Sequence, residues 1–307
     1  MKDSKTLRPS NKNLWQRIAA YFRSHGIVFH ICAFILLVWS ISLVFMLVWG
    51  LLVSITPFRG VDGYANNKRS IIPKALDFSY YPESFKLIKA ETPYGKVVDY
   101  GGLLFNSIWL TIGSTSAKLI STVCFSYVVA RYKVPGKKAI YMFVIIAMML
   151  PEYGQTVPNF TYLKSLGLID NPAFLLSQFA GHGSGFLIYY SFFVNIDKAY
   201  EESARLDGAN EFTVFLRIMA PLSMPIIGTM FLSGFIGGWN DYNTPMIFMS
   251  EYPNLALGLF DYQQSRDYQG APAYFAGLFV AALPVATLFL IFNKQLMTNL
   301  VIGGIKG

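Results

Sequence analysis

Charge is what this sequence has least of. Only 14% of its positions are Asp, Glu, Lys or Arg, where a soluble domain carries about 25%. The deficit is concentrated. No charged residue occurs over 24–58, 171–196, 218–240 or 268–293, and each stretch exceeds the roughly 20 residues that a helix needs to cross a bilayer core. That excludes an ordinary globular enzyme, a nucleic-acid binder and a disordered chain. The net charge of +8 does not reopen the nucleic-acid reading, because basic residues in a membrane chain first report topology. Cysteine is nearly absent too. Cys32 and Cys124 both fall in apolar stretches, which indicates neither a disulfide framework nor a metal site. His25, His30 and His182 are scattered, and no hydrolytic constellation appears. There is no Walker A sequence: Gly181, Gly183 and Gly185 lack the following Lys-Ser/Thr and lie beside an apolar stretch, where a packing or bending role suits them better. Energy for uphill transport would have to come from an ion gradient or a partner.

What is present is six apolar segments, at 28–55, 103–129, 139–158, 173–195, 222–247 and 272–293. They lack period-two alternation, so the expected fold class is an all-α integral membrane protein with six transmembrane helices. The first segment is too long for a cleavable signal and reads as a retained anchor. Residues 1–27 form a basic segment with Lys2, Lys5, Arg8, Lys12, Arg17 and Arg23 against Asp3. The loop after the second segment carries Arg131, Lys133, Lys137 and Lys138 with no acid. Both belong on the cytoplasmic side, which puts both termini there. The loop 56–102 is then extracytoplasmic; its mixed charge and length make it a weak voter. It reads as a small folded cap or a loosely ordered linker.

Two sets of polar residues fall within the spans. Lys118 and Glu152 lie at nearly the same depth on consecutive antiparallel helices, about 18 and 20 Å from the inner ends at 1.5 Å per residue. An ion pair between them fits the rule that intramembrane charges are paired. The alternatives are Lys118 facing a watery pathway, or span boundaries displaced by several residues. Trp239, Asn240, Asp241 and Tyr242 near the end of the fifth segment offer apolar faces and hydrogen-bonding groups suited to a sugar. The other reading is that Gly237 and Gly238 break the helix and the polar residues satisfy the freed backbone.

The stretch 197–221, DKAYEESARLDGANEFTVFLRIMAP, reads as two short helices around a glycine. Asp197 can cap the first, with Glu201 and Glu202 near its positive end. Gly208 can end it with a positive φ. Asn210 can cap the second, and Pro221 sits at the mouth of the fifth span, where its missing N–H costs least. This is either a docking knob or an amphipathic loop on the headgroups.

Glu202-Ser203-Ala204, Asp207-Gly208-Ala209 and Ile218-Met219-Ala220-Pro221 resemble the EAA loop of permease subunits in binding-protein-dependent ABC importers. Ser203 and Ala220 depart from the usual Ala and Leu. The chain is further similar to the carbohydrate-importing branch, in its maltose-type second permease subunit. The similarity rests on Asn106-Ser107, the run 130–136, the run 163–169, Trp239-Asn240-Asp241-Tyr242 and the tail 303–307, and it covers about 103–307. Glu152, where a small residue is usual, departs from it.

The resemblance implies a type I ABC importer transmembrane domain and not an enzyme. The chain would form a translocation path with a second permease subunit. It would bind an ATPase dimer, which holds ATP and Mg, and receive solute from an extracytoplasmic binding protein. This chain itself would carry no cofactor and bind no nucleic acid; it would be surrounded by lipid in the cell membrane as a multi-pass protein. The coupling residues carried over are Glu201, Glu202, Ala204, Asp207, Gly208 and Ala209, with Phe212, Ile218 and Pro221 supporting the second arm. Rivals are an importer of another solute, such as polyamine or phosphate, and an ion-driven secondary transporter. The second lacks the internal repeat that such folds carry.

Overall fold

The computed structural model describes residues 26–57, 75–150, 154–180, 183–265 and 271–302. Its helices are α1 (Ile27–Ser54), α2 (Tyr80–Leu87), α3 (Tyr100–Arg131), α4 (Lys137–Met149), α5 (Thr156–Ser165), α6 (Gly183–Asn195) and α7 (Ala199–Leu206). Then come α8 (Glu211–Trp239), α9 (Asn243–Phe248), α10 (Leu255–Gln264) and α11 (Ala271–Ile302), with a 3₁₀ segment over Pro172–Ala180. A two-residue hairpin, β1 (Ala90–Glu91) with β2 (Val97–Val98), pairs antiparallel with Ala90 opposite Val98.

Among the described residues, four helices are long and apolar enough to cross a membrane: α1, α3, α8 and the Ala271–Ile291 part of α11. The expected third and fourth spans are each divided into shorter elements. The segment 139–158 contains α4, which ends at Met149, and only the start of α5. Leu150 is extended, with ψ 132°, because the ring of a following proline disfavours the α region in the residue before it. The segment 173–195 begins as a 3₁₀ turn and becomes α-helical at Gly183, whose φ is +34°. The fifth span stops at Trp239, eight residues short of its expected end, and α9 follows after a turn.

Helix α3 lies at the centre, packed against α6, α8, α10 and the 3₁₀ segment. The Asp99 carboxylate opens it by accepting from the Gly102 amide at 2.9 Å. Its 32 residues make it about 48 Å long. Polar residues recur at helical spacing along it, and Ser107, Thr111, Thr115, Thr122 and Ser126 are all buried. With no hydrophobic force between helices inside a bilayer, small residues that permit close approach do the packing. A Cβ added at Gly234 of α8 would come within 2.9 Å of the Thr115 methyl, and one at Gly238 within 3.3 Å of the Thr111 methyl.

The described part of the loop 56–102 is folded. Tyr80 of α2 and Ile88 are fully buried, and the Tyr81 hydroxyl meets Ser54 of α1 at 2.8 Å. These residues join one apolar cluster with Leu103, Trp239, Leu255 and Ala276. A second cluster gathers Val123 and Tyr127 of α3, Tyr189 and Phe193 of α6, Ala204 of α7 and Met219 of α8. The first marks the cap end of the bundle, the second the elbow end.

The close contact between α3 and α8 gives a direct expectation. Gly234→Val should cost about 1–3 kcal/mol by overpacking and lower the thermal midpoint of the detergent-purified protein. Ile236→Val, at an exposed position of the same helix, should leave the midpoint within experimental error.

Candidate functional site: an elbow at one end, a polar cavity inside

The elbow is built by local chemistry. The Asp197 carboxylate accepts from the Ala199 amide at 3.0 Å, and α7 follows. Gly208 has φ +82°. Its amide donates to Arg205 O at 3.0 Å, and the Ala209 amide donates to Ala204 O at 2.9 Å. This paired arrangement is the Schellman ending, which satisfies carbonyls that a helix leaves open. A Cβ at Gly208 would meet nothing within 4 Å, so the backbone angle alone requires glycine there. The Asn210 side chain then accepts from the Thr213 amide at 2.8 Å and opens α8.

The second arm is not a separate short helix. It runs straight into the fifth span through a π turn at Phe215–Met219, in which the Ala220 amide reaches back to Phe215 O. The wide turn precedes Pro221, which has no N–H to donate, so the helix passes the proline without a break.

A buried ion pair roots the elbow in the bundle. Arg131, the last residue of α3, donates from Nε to Glu201 Oε1 at 2.7 Å, with side-chain exposures of 4% and 6%. Its Nη1 donates to Ile196 O at 3.0 Å and its Nη2 to Asp197 O at 3.4 Å. One guanidinium therefore holds both the entry to α7 and its inner face. Outside it, Arg205 is bidentate to Glu211 at 2.9 and 3.1 Å, and the Tyr132 hydroxyl donates to Glu211 Oε2 at 2.7 Å. Burial, and then this acceptor carboxylate, push the Tyr132 phenol above its ordinary pKa.

Of the nine elbow residues singled out from sequence, Glu201 and Ala204 face inward and Ala209 and Ile218 pack partly against the second cluster. Glu202, Asp207, Gly208, Phe212 and Pro221 are exposed. Leu206, which sequence reading passed over, is 89% exposed, and Phe212 is 69% exposed. The elbow thus exposes two large apolar side chains, Leu206 and Phe212, together with Glu202 and Asp207.

The second feature is a cavity of about 530 Å³ between α3, α6 and α8, open on one side. Thr111, Ser114, Lys118, Gln178, Ser233 and Asp241 are among its lining residues. Of the four residues at 239–242, Asp241 is the one that lines it. Its carboxylate accepts from the amides of Asn243 and Thr244 at 2.9 and 3.1 Å and from the Thr244 hydroxyl. Trp239 is buried and donates from Nε1 to Ala281 O at 3.1 Å. Asn240 donates to Ile236 O at 2.8 Å, and Tyr242 stacks on Phe260 at 4.7 Å. Lys118 is exposed on the cavity wall. Glu152, its expected partner, lies outside the described residues, as does the tail 303–307. Sequence reasoning missed Asn254, which lines the cavity, donates to Asp241 O at 2.7 Å and caps α10 through the Leu257 amide. An Asn ahead of an apolar run was the available signal.

Comparison with known proteins places this geometry. The profile of the family described as "Binding-protein-dependent transport system inner membrane component" matches residues 122–299. The arabinooligosaccharides transport system permease protein AraQ of Bacillus subtilis (strain 168) is 30% identical, over 77% of this chain and 82% of its own length. The galactooligosaccharides transport system permease protein GanQ of the same organism is 26% identical, over 87% of this chain and 92% of its own. Among solved structures, a chain of a bacterial ABC transporter involved in the import of the acidic polysaccharide alginate superposes with a TM-score of 0.69 at 21% identity. The match covers 87% of this chain and 96% of that one, a likeness of fold.

Removing Arg131 strands a buried carboxylate. Arg131→Ala should destabilise the elbow by about 3–5 kcal/mol, read as faster amide exchange over residues 199–214. Gly208→Val should cost about 1–2 kcal/mol, the price of left-handed backbone in a residue with a Cβ, with less effect on exchange in α3.

Proposed function

Because the chain belongs to the binding-protein-dependent transport system inner membrane components, we propose that it is the permease subunit of an ATP-driven importer of a sugar or oligosaccharide. The elbow is the observation that carries this reading. A rigid, glycine-jointed knob that exposes Leu206 and Phe212, rooted by an ion pair at the end of the central helix, suits a movable partner seated against it. The partner is an ATPase dimer, which supplies ATP and Mg; this chain supplies Glu202, Asp207, Phe212 and the fixed turn at Gly208.

The mechanism follows from how each part is held. Closure of the ATPase dimer displaces the elbow. Glu201 and Arg131 pass the displacement to α3, and the Val123–Tyr127–Met219 cluster passes it to α8. Both helices wall the cavity, so a tilt of either changes its opening, a rigid-body switch between two facing states. A second permease subunit closes the open side. An extracytoplasmic binding protein delivers solute at the cap end. The elbow then faces the cytoplasm, as do both termini, and the protein resides in the cell membrane. Similarity to permeases named for oligosaccharides favours carbohydrate over polyamine or phosphate.

Two measurements test this. Vesicles holding the complete transporter should take up oligosaccharide only with ATP and binding protein; uptake driven by a proton or sodium gradient without nucleotide would overturn the reading. A single cysteine replacing Leu206 should cross-link to the ATPase and not to the binding protein. Labelling of that cysteine by a reagent confined to the outside would invert the topology.

A further inference from the structure

Lys118 is the cavity's unexplained group. It stands in the middle of α3, between Thr115 and Thr122, and its side chain is exposed on the cavity wall. Among the described residues no carboxylate pairs with it. An ionisable residue inside a membrane segment is costly, and it is kept where it faces an aqueous path or meets a partner. The other charged residue lining the cavity is Asp241. Its carboxylate is already occupied by two amides and a hydroxyl. It also lies roughly 15 Å further toward the cap, taking Thr115 level with Gly234 and 1.5 Å per residue. The cavity at the depth of Lys118 therefore carries one ammonium, on a wall that mixes the hydroxyls of Ser114 and Ser184 with the apolar Leu119 and Met230.

The rest of the lining fits a sugar. Ser114, Gln178 and Ser233 give hydroxyls and an amide, and the adjacent glycines Gly237 and Gly238 present bare backbone. The volume of about 530 Å³ lies within the range of small-ligand sites. A hydroxyl wall can hydrogen-bond any glycan, but it does not choose a charge. An ammonium on the cavity wall does, because the field of a cation in a cleft with low-dielectric walls raises the local concentration of anions.

We infer that the translocation cavity takes an oligosaccharide bearing an anionic group, a uronate carboxylate, with Lys118 as its counter-charge. This rests on the reading of the chain as a carbohydrate permease and names the substrate class of that same site. Lys118 forms charge-assisted hydrogen bonds to the carboxylate as each anionic residue passes, and the hydroxyls hold the ring. A single lysine, rather than a bidentate arginine, holds the anion as a point charge and lets it leave.

The test is direct binding to the purified membrane complex, without binding protein, using trigalacturonate and maltotriose as probes. Trigalacturonate should bind at least about tenfold more tightly than maltotriose, the scale of one charge-assisted hydrogen bond. Lys118→Gln should abolish that preference, while Lys118→Arg should keep most of it, which separates lost charge from lost folding. Equal binding of the two probes, no binding of trigalacturonate, or a preference that survives Lys118→Gln would overturn the inference. So would a preference that arises only in Glu152→Gln, since Lys118 would then be held by Glu152. Failure of the importer reading looks different: trigalacturonate binds, yet ATP and binding protein drive no uptake of any oligosaccharide.

Discussion

The guanidinium of Arg131 ends the longest polar-striped helix of the bundle and fastens three things at once: the Glu201 side chain and the backbone of Ile196 and Asp197. Hydrophobic contact alone could hold α7 against the bundle, since Ala204 already packs there. It would not fix direction. Apolar packing is non-directional, whereas an Arg fork has one geometry for its acceptors. A buried pair is weak evidence for stability, because desolvation offsets most of its attraction. What it supplies here is a fixed seat for the elbow on the end of α3.

How much of this could be read beforehand depends on how local the cause is. The elbow was legible residue by residue. Asp197, Gly208 and Asn210 act on backbone groups within a few positions, so their roles follow from spacing. The Arg131–Glu201 pair was not, because seventy positions separate its members. Arg131 looked like one more vote for topology, and Glu201 like a charge near a helix start. The breaks within the third and fourth apolar segments were hidden for another reason. Hydropathy counts apolar residues and ignores the backbone. Leu150 before a proline and Gly183 at positive φ interrupt helices that composition alone joins. The merging of the elbow's second arm with α8 was hidden in the opposite way. Pro221 suggests a boundary, and only a π turn, which leaves no compositional mark, carries the helix past it.

The cavity shows the same division. Trp239 to Tyr242 drew attention as a cluster, yet the turn after α8 sends their side chains apart: Trp239 to α11, Tyr242 to α10, Asp241 to the cavity. Adjacent residues at a helix end point in different directions, so neighbourhood in sequence says little about a shared site. The hydroxyls of α3 are dispersed in sequence and gather on one face because they recur every three or four positions.

The arrangement of bends decides which helices can carry force and which can yield. Helix α3 contains no proline over its 32 residues, so its hydrogen-bond ladder is unbroken by missing amides from the cap to Arg131. Helix α8 holds internal prolines at Pro221 and Pro225 and α11 one at Pro284, and past the π turn that carries α8 by Pro221 the missing amides at Pro225 and Pro284 each remove a rung and lower the resistance to bending. Displacement at the elbow end of α3 therefore travels its length, past Lys118 and Thr111. The same displacement entering α8 meets a weak point within one and a half turns of the membrane mouth. Two neighbouring helices that share a cluster at one end but differ in stiffness cannot move in parallel. In the proposed cycle their separation would change most where α3 continues straight and α8 bends, which is the stretch from Thr122 to Thr111 that walls the cavity. The close glycine–threonine contacts at Gly234 and Gly238 lie in that stretch, so relative motion there would meet a closely packed seam.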